Sequence, residues 1–338
     1  MRAAVFAREG VIEVREVAPP KLEREDDVLV KVALCGICGS DVRALSVPPL
    51  MHDKPGVVMG HEFVGTVVEA GSASTHLLNR RVVAVPNLHC SRCRYCKQAT
   101  VHHCENFEHL GATIDGAFAE LCVLPGTLAH PVPDQLRDDV AALAEPLACV
   151  LNATNRAQWH PGSPVVVFGA GPIGLLFVIV AKLAGAFPII VSEPTASRSE
   201  QAMLAGAHIT VDPTVTDVPR AVLDATEDLG AQVVIDAVGT LLDNGLACLR
   251  KGGQLLIFGL DEAAESTIRP SSIVNRELRI EGSYITNGTF PQALALLLEH
   301  EPTFRSLISE TLPLEDVAQG VSAMRSGDAV KVLIDPRA

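Results

Sequence analysis

The chain has 338 residues, 48% of them hydrophobic and 20% charged, which is enough for one large domain or, better, two. Its formal net charge of −13 excludes a broad nucleic-acid footprint, because phosphate backbones are bound by clustered Lys and Arg. The most apolar stretch, Ile173 to Val180, is too short to span a bilayer and continues a glycine motif.

The N-terminal MRAAVFAREGVIEV alternates like a strand. It lacks the apolar core and cleavage site of a signal peptide, so a cytoplasmic location is expected. Over the first 145 or so residues, the runs AAVF, VLVKVAL, EFVGTVVEA, RVVAVP and FAELCVL are separated by Gly, Pro and Asp turns and read as mostly β. From about Glu145 the texture changes. A helix-like EPLACVLNATNRAQW leads into an apolar strand, PVVVFG. Strand-like PIIVSE, QVVIDAVG and QLLIFGL then alternate with helix-like SRSEQAMLAGA and GLACLRKGG. Apolar strands spaced by helices predict a parallel sheet covered on both faces. After Gly282 a helical pattern, TFPQALALLLEH, and a last strand, AVKVLIDP, form a tail that is expected to return to the first domain.

The segment VVVFGAGPIGLL carries Gly169, Gly171 and Gly174 in G-x-G-x-x-G spacing. That spacing is weak alone, but here it follows an apolar strand and opens a helix, the context a dinucleotide fingerprint requires. Gly169 permits the tight turn, Gly171 lets the backbone approach a pyrophosphate, and Gly174 lets helix and strand pack closely. The helix start offers its N–H groups to phosphate. Gly169, Gly171, Pro172, Ile173 and Gly174 are therefore the candidate cofactor-binding loop. Nineteen residues after Gly174, Glu193 closes the strand PIIVSE. A carboxylate there can accept hydrogen bonds from both ribose hydroxyls of NAD and repels the extra phosphate of NADP. Arg198 works the other way, since an arginine nearby can accommodate that phosphate. NAD is expected over NADP.

Nine cysteines are present, and four of them, Cys90, Cys93, Cys96 and Cys104, form C-x2-C-x2-C-x7-C. In a cytosolic chain such clustering points to metal rather than disulfides. Two-residue gaps let thiolates converge on one tetrahedral ion, and four thiolates leave no open position, so a structural zinc is expected. The spacing fits neither ferredoxin pattern.

Three further segments are dispersed: CGICGSD at 35–41, GHEF at 60–63 and AEPLACV at 144–150. With GTVVEAG, the four-cysteine lobe, VSEP after the glycine loop and the ending KVLIDP, they occur in one order along nearly the whole chain. In this the chain resembles the zinc-containing medium-chain dehydrogenase/reductase family, and within it the sorbitol, threonine and butanediol dehydrogenase branch. The resemblance implies an α/β architecture: a GroES-like, mostly β catalytic domain over 1–147 with its zinc lobe at about 86–108, a doubly wound Rossmann domain over 148–284, and a segment 285–338 returning to the catalytic domain. It implies a second, catalytic zinc held by Cys38, His61 and Glu145, with Glu62 as a fourth ligand that exchanges with Glu145. A thiolate, an imidazole and a carboxylate suit zinc, and a position left open makes such a site catalytic. Cys35, nearer the strand end, reads as a packing residue, as do Cys122, Cys149 and Cys248 in apolar runs. Asp41 either caps a helix or orients His61.

The implied reaction is oxidation of a secondary alcohol (polyol, cyclitol, vicinal diol or 3-hydroxy amino acid) to a ketone, with hydride passing to NAD. Ser40 is the candidate first proton acceptor. Three residues on, where relatives often carry a histidine, this chain has Arg43, which stays protonated and cannot shuttle by titrating. His52, water, the cofactor ribose or a route past Glu62 are the alternatives. Arg43 is free to touch a polar substrate or the cofactor phosphates. Pocket residues are expected near Ser40–Met51, Phe107–Phe118 and Tyr284–Phe290. A homodimer or homotetramer is expected, with strands such as QLLIFGL available at a sheet edge. Two other readings compete: a zinc-free quinone or enoyl reductase of the same superfamily, and a nucleotide-binding relic. Zinc content separates them, at two, none and one ion per chain.

Overall fold

The computed structural model describes residues 1–50 and 54–338. The chain divides into two compact units, Met1–Ala148 with Thr286–Ala338, and Cys149–Ile285.

The first unit is built on a seven-stranded sheet among the described residues. Strands Ile308–Pro313, Lys331–Asp335, Asp27–Gly36, Glu62–Ala70, Arg81–Ala84 and Ala129–Pro131 lie in that order, and Leu121–Pro125 also pairs with Asp27–Gly36. Asp27–Gly36 is central, and all of its residues except Lys31 are buried. Burial on both faces is why this segment reads as an apolar run rather than an alternating one. Its antiparallel register sets Gly36 opposite Glu62 and Cys35 opposite Phe63. On its other edge the same strand end meets Leu333 and Ile334. The start of Glu62–Ala70 and the C-terminal strand are thus held at one end of one strand. Phe63, Phe118, Met59 and Leu110 pack the core around that end.

The second unit carries a six-stranded sheet, all parallel, in the order Ile209–Val211, Ile189–Ser192, Val165–Phe168, Ala231–Asp236, Leu249–Ile257, Arg279–Gly282. Numbered along the chain, that order is the 3-2-1-4-5-6 of a doubly wound fold, with its switch point beside Val165–Phe168. The strands Val165–Phe168, Ile189–Ser192 and Ala231–Asp236 are buried throughout, as expected of a sheet covered on both faces.

Two sequence expectations change. The segment GLACLRKGG is not one helix. The helix ends at Cys248, and LRKGG opens the strand Leu249–Ile257, which carries an irregular register with Ala231–Asp236. QLLIFGL is not at a sheet edge, because its strand is flanked by Ala231–Asp236 and Arg279–Gly282, and the edge is Arg279–Gly282. No described helix is long and apolar enough to cross a membrane.

Candidate active site

Two sets of side chains in the first unit converge as metal ligands do. In the first, the sulfurs of Cys90, Cys93, Cys96 and Cys104 all lie within 4.8 Å of one another. The four-residue helix Arg94–Lys97 sets Cys93 at its N-cap and Cys96 within its turn. Backbone N–H groups point at the sulfurs: those of Cys90 and Asn106 reach Cys104 Sγ at 3.3 Å, and that of Cys93 reaches Cys90 Sγ at 3.4 Å. Donors aimed at sulfur favour thiolate over thiol. The N–H groups of Arg92 and Cys93 accordingly hold Cys90 down at about 6. Desolvation and the neighbouring Cys93 and Cys104 sulfurs push Cys96 up to about 12. A set that mixes stabilised thiolates with a crowded thiol is completed by a cation, and four sulfurs with backbone donors fit zinc. None of the nine cysteines forms a disulfide.

In the second set, Cys38, His61 and Glu62 bring ligand atoms within 4.8 Å. Cys38 is the N-cap of the helix Gly39–Ala44, just past the central strand. Glu62 opens the strand Glu62–Ala70, and His61 directly precedes it. Burial raises the Cys38 thiol, and the Glu62 carboxylate adds to it. Burial disfavours protonated His61, but the hydrogen-bonded Cys38 and Asp41 outweigh it, and its pKa stands well above the ordinary value. A thiol, an imidazole and a carboxylate brought this close form a donor set whose chemistry fits zinc. Of the two roles open to Asp41, the cap is the one made: Oδ2 accepts the Cys38 N–H at 2.8 Å, whereas Oδ1 lies 3.9 Å from His61 Nδ1, beyond a hydrogen bond.

Glu145 opens the helix Ala144–Thr154 and is buried, close enough for its charge to raise His61, but it is outside the convergent three. Ser40 is half-buried on the helix Gly39–Ala44, one turn from Arg43. The Arg43 Nε is buried without a hydrogen-bond partner. Cys35 is fully buried in the core and is not one of the convergent three. Met51 and His52 lie outside the described residues.

Two residues at this site went unnoticed in the sequence. Lys331 is 2% exposed; its Nζ donates to Ile37 O at 2.8 Å and forms an ion pair with Glu62 Oε2. Burial favours its neutral form, but the charge and hydrogen bond of Glu62, with the nearby Cys38 and Asp41, together outweigh it and raise its pKa. Its only signal was a lysine inside the apolar AVKVLIDP. His109 sets its ring edge-on to His61, with centroids 4.8 Å apart. Burial and the neighbouring His61 lower its pKa to about 3, so it is neutral.

In the second unit the glycine loop has the shape the sequence expected. A Cβ on Gly174 would stand 2.0 Å from Gly169 O, so only glycine allows this approach of helix to turn. A Cβ on Gly171 would meet nothing within 4 Å, and that open backbone is where a phosphate fits. Pro172 and Ile173 begin the helix Pro172–Leu183. Glu193 is buried, with Oε2 accepting the Ala170 N–H at 2.8 Å and Oε1 the Thr195 N–H at 2.9 Å. It therefore braces the loop itself, and each oxygen keeps a lone pair for a ribose hydroxyl. Arg198 is half-buried on the next helix.

The model of the alcohol dehydrogenase GroES-like domain matches residues 24–134, and that of zinc-binding dehydrogenases matches 172–299. D-arabinitol dehydrogenase 1 of Uromyces fabae is 30% identical over 92% of this chain and 90% of its own length. The chain belongs to the zinc-binding alcohol dehydrogenase family. Solved members share its fold throughout. A zinc-binding dehydrogenase of Sinorhizobium meliloti 1021, bound to NADP, superposes with a TM-score of 0.93 at 35% identity, covering 99% of each chain. The 2R,3R-butanediol dehydrogenase of Bacillus subtilis superposes at 0.89 with 30% identity, again over 99% of each. As a family member the chain is an oxidoreductase of the sorbitol dehydrogenase-like branch, acting on small molecules with zinc and a nicotinamide cofactor.

Proposed function

We propose that this dehydrogenase oxidises a secondary alcohol of the polyol, cyclitol, vicinal-diol or 3-hydroxy-amino-acid kind to the ketone, with NAD as the preferred hydride acceptor. The observation that carries the reading is the convergence of Cys38, His61 and Glu62 on one buried point. The polyol and diol relatives support the substrate class.

Cys38 and His61 hold the catalytic zinc, and Glu62 and Glu145 supply its carboxylate. When bound, zinc contributes Lewis acidity that lowers the pKa of a substrate hydroxyl by several units. The remaining work belongs to the chain. Ser40 takes the hydroxyl proton, since its side chain both accepts and donates. Arg43 keeps its own proton, so the onward route runs through water, the cofactor ribose or Glu62. Asp41 holds the Cys38 turn through the Cys38 N–H. Cys90, Cys93, Cys96 and Cys104 hold the structural zinc. Residues 1–147 with 285–338 carry the chemistry. Residues 148–284 bind the dinucleotide through Gly169, Gly171, Pro172, Ile173, Gly174, Glu193 and Arg198. The working form is a homodimer or homotetramer in the cytoplasm, checked by light scattering and fractionation.

The deciding experiment incubates a panel of secondary alcohols and polyols with NAD or NADP and follows the absorbance of the reduced nicotinamide. Reduction with a polyol or diol, faster with NAD, is the expected result. No activity on any alcohol refutes the reading.

A further inference from the structure

Asn-Gly pairs occur twice in the chain, at Asn244–Gly245 and Asn287–Gly288. Such a pair can react with itself. The main-chain nitrogen of the glycine attacks the asparagine Cγ, and glycine allows the approach because it carries no Cβ. The two pairs meet this requirement very differently. Asn244–Gly245 lies inside the helix Leu242–Cys248. The Gly245 N–H donates to Leu241 O at 2.8 Å, and Gly245 is buried against Leu255. Attack there requires the helical turn to open first. Asn287–Gly288 lies in the turn that leads to the helix Phe290–Glu299. Gly288 is exposed with φ +72°, and among the described residues no hydrogen bond holds its N–H. Exposure does not separate the pairs, since Asn244 is exposed and Asn287 is half-buried. The unheld nitrogen does.

The turn is bracketed by two buried threonines. Thr286 Oγ1 and Thr289 Oγ1 are 2.9 Å apart, and Thr289 Oγ1 donates to Ala148 O at 2.6 Å. A hydroxyl has one proton to give, so Thr286 is the donor within the pair. Ala148 belongs to the helix Ala144–Thr154 that Glu145 opens. The spacing from Thr286 to Thr289 is therefore fixed by hydrogen bonds on either side of the reactive pair.

We propose that Asn287 is a site of spontaneous modification to isoaspartate, and that the product loosens the threonine bracket. Gly288 N forms a bond to Asn287 Cγ, the Cγ–Nδ2 bond breaks, and ammonia leaves with the Gly288 amide proton. Water then opens the resulting succinimide. Hydrolysis at Cγ returns an ordinary main chain with aspartate. Hydrolysis at the main-chain carbonyl gives isoaspartate, whose backbone runs through the side chain and is longer by a CH2. Nothing is oxidised or reduced, and either product adds a negative charge. Aspartate keeps the spacing of the threonines, and the helix dipole tolerates a carboxylate just ahead of a helix start. Isoaspartate lengthens that spacing, and the buried hydroxyls lose their partners at a cost in stability. This holds whichever alcohol the enzyme oxidises.

The test ages the zinc-loaded protein at mildly alkaline pH and follows both asparagines in the same sample by peptide mass spectrometry. Labelling with an isoaspartyl methyltransferase quantifies isoaspartate. Asn287 is expected to convert at least about tenfold faster than Asn244, because only the latter waits on local opening. The isoaspartate form, separated by ion exchange, is expected to melt about 3 °C below fresh protein. Asn287→Gln, whose longer side chain cannot close the same five-membered ring, is aged in parallel and should keep its own initial melting temperature. Conversion of Asn244 as fast as that of Asn287, or conversion of Asn287 without isoaspartate, overturns the site. An isoaspartate form that melts with fresh protein, or an aged Asn287→Gln protein that loses as much as wild type, overturns the effect on the bracket.

Discussion

The two ligand sets sit in the same folding unit but are assembled by opposite means. Cys90, Cys93, Cys96 and Cys104 come from one short lobe, and backbone N–H groups of that lobe supply the donors to sulfur. Cys38, His61 and Glu62 come from a helix cap and the start of one strand, and the lysine that neutralises Glu62 lies 269 residues away in sequence. The lobe is closed by its own four sulfurs, whereas the dispersed set has three convergent donors, one of them a carboxylate already shared with a cation. A local set gains rigidity from its metal. A dispersed set is made rigid by the sheet before any metal arrives, and so has a position to spare for chemistry.

That contrast can be broken by experiment. His61→Ala should lower turnover by about 1,000-fold or more, because it removes a ligand of the reacting centre. Metal analysis should then find the lobe zinc retained, and loss of both ions would show that the sets are not independent. Lys331→Met strands a buried carboxylate and should cost about 3–5 kcal/mol in urea unfolding. Lys331→Met combined with Glu62→Gln should recover much of that. No recovery would mean the lysine acts through packing rather than charge. Cys104→Ser opens the lobe and should lower the melting temperature by about 10 °C, with activity per folded molecule nearly kept. Ser40→Ala should reduce turnover by more than about tenfold with NAD affinity unchanged, as loss of a proton acceptor does. Wild-type turnover would remove Ser40 from the relay. The mildest test is a timed chelation, read as zinc released against activity. The open set should lose its metal about tenfold faster than the four-sulfur lobe.

Much of this contrast is legible in the chain itself. The lobe is read directly, since four cysteines within fifteen positions can hardly avoid one another. The glycine loop is equally plain, because its chemistry lies in backbone that only glycine permits, as the 2.0 Å approach at Gly174 shows. Cys38, His61 and Glu62 could be named from the resemblance, but their meeting depends on the register that sets Gly36 opposite Glu62. LRKGG was misread because a glycine pair after a helical pattern looks like a helix stop, and only the neighbouring strand shows that the chain has already turned extended. The QLLIFGL edge was misjudged for a related reason, since nothing in a strand's own residues says how many neighbours it has.

The sequence by itself determined the family, the alternation of strands and helices, the cysteine lobe and the nucleotide loop. Each of these is carried by residues close in the chain, where covalent spacing limits the geometry. Tertiary structure alone decided that Lys331 neutralises Glu62, that Asp41 caps the Cys38 turn, that Glu193 braces the loop, and that His109 packs edge-on against His61. Those are pairings of buried polar groups. A buried charge or amide must find a partner wherever the fold places one, and the partner's distance along the chain has no bearing on the energy.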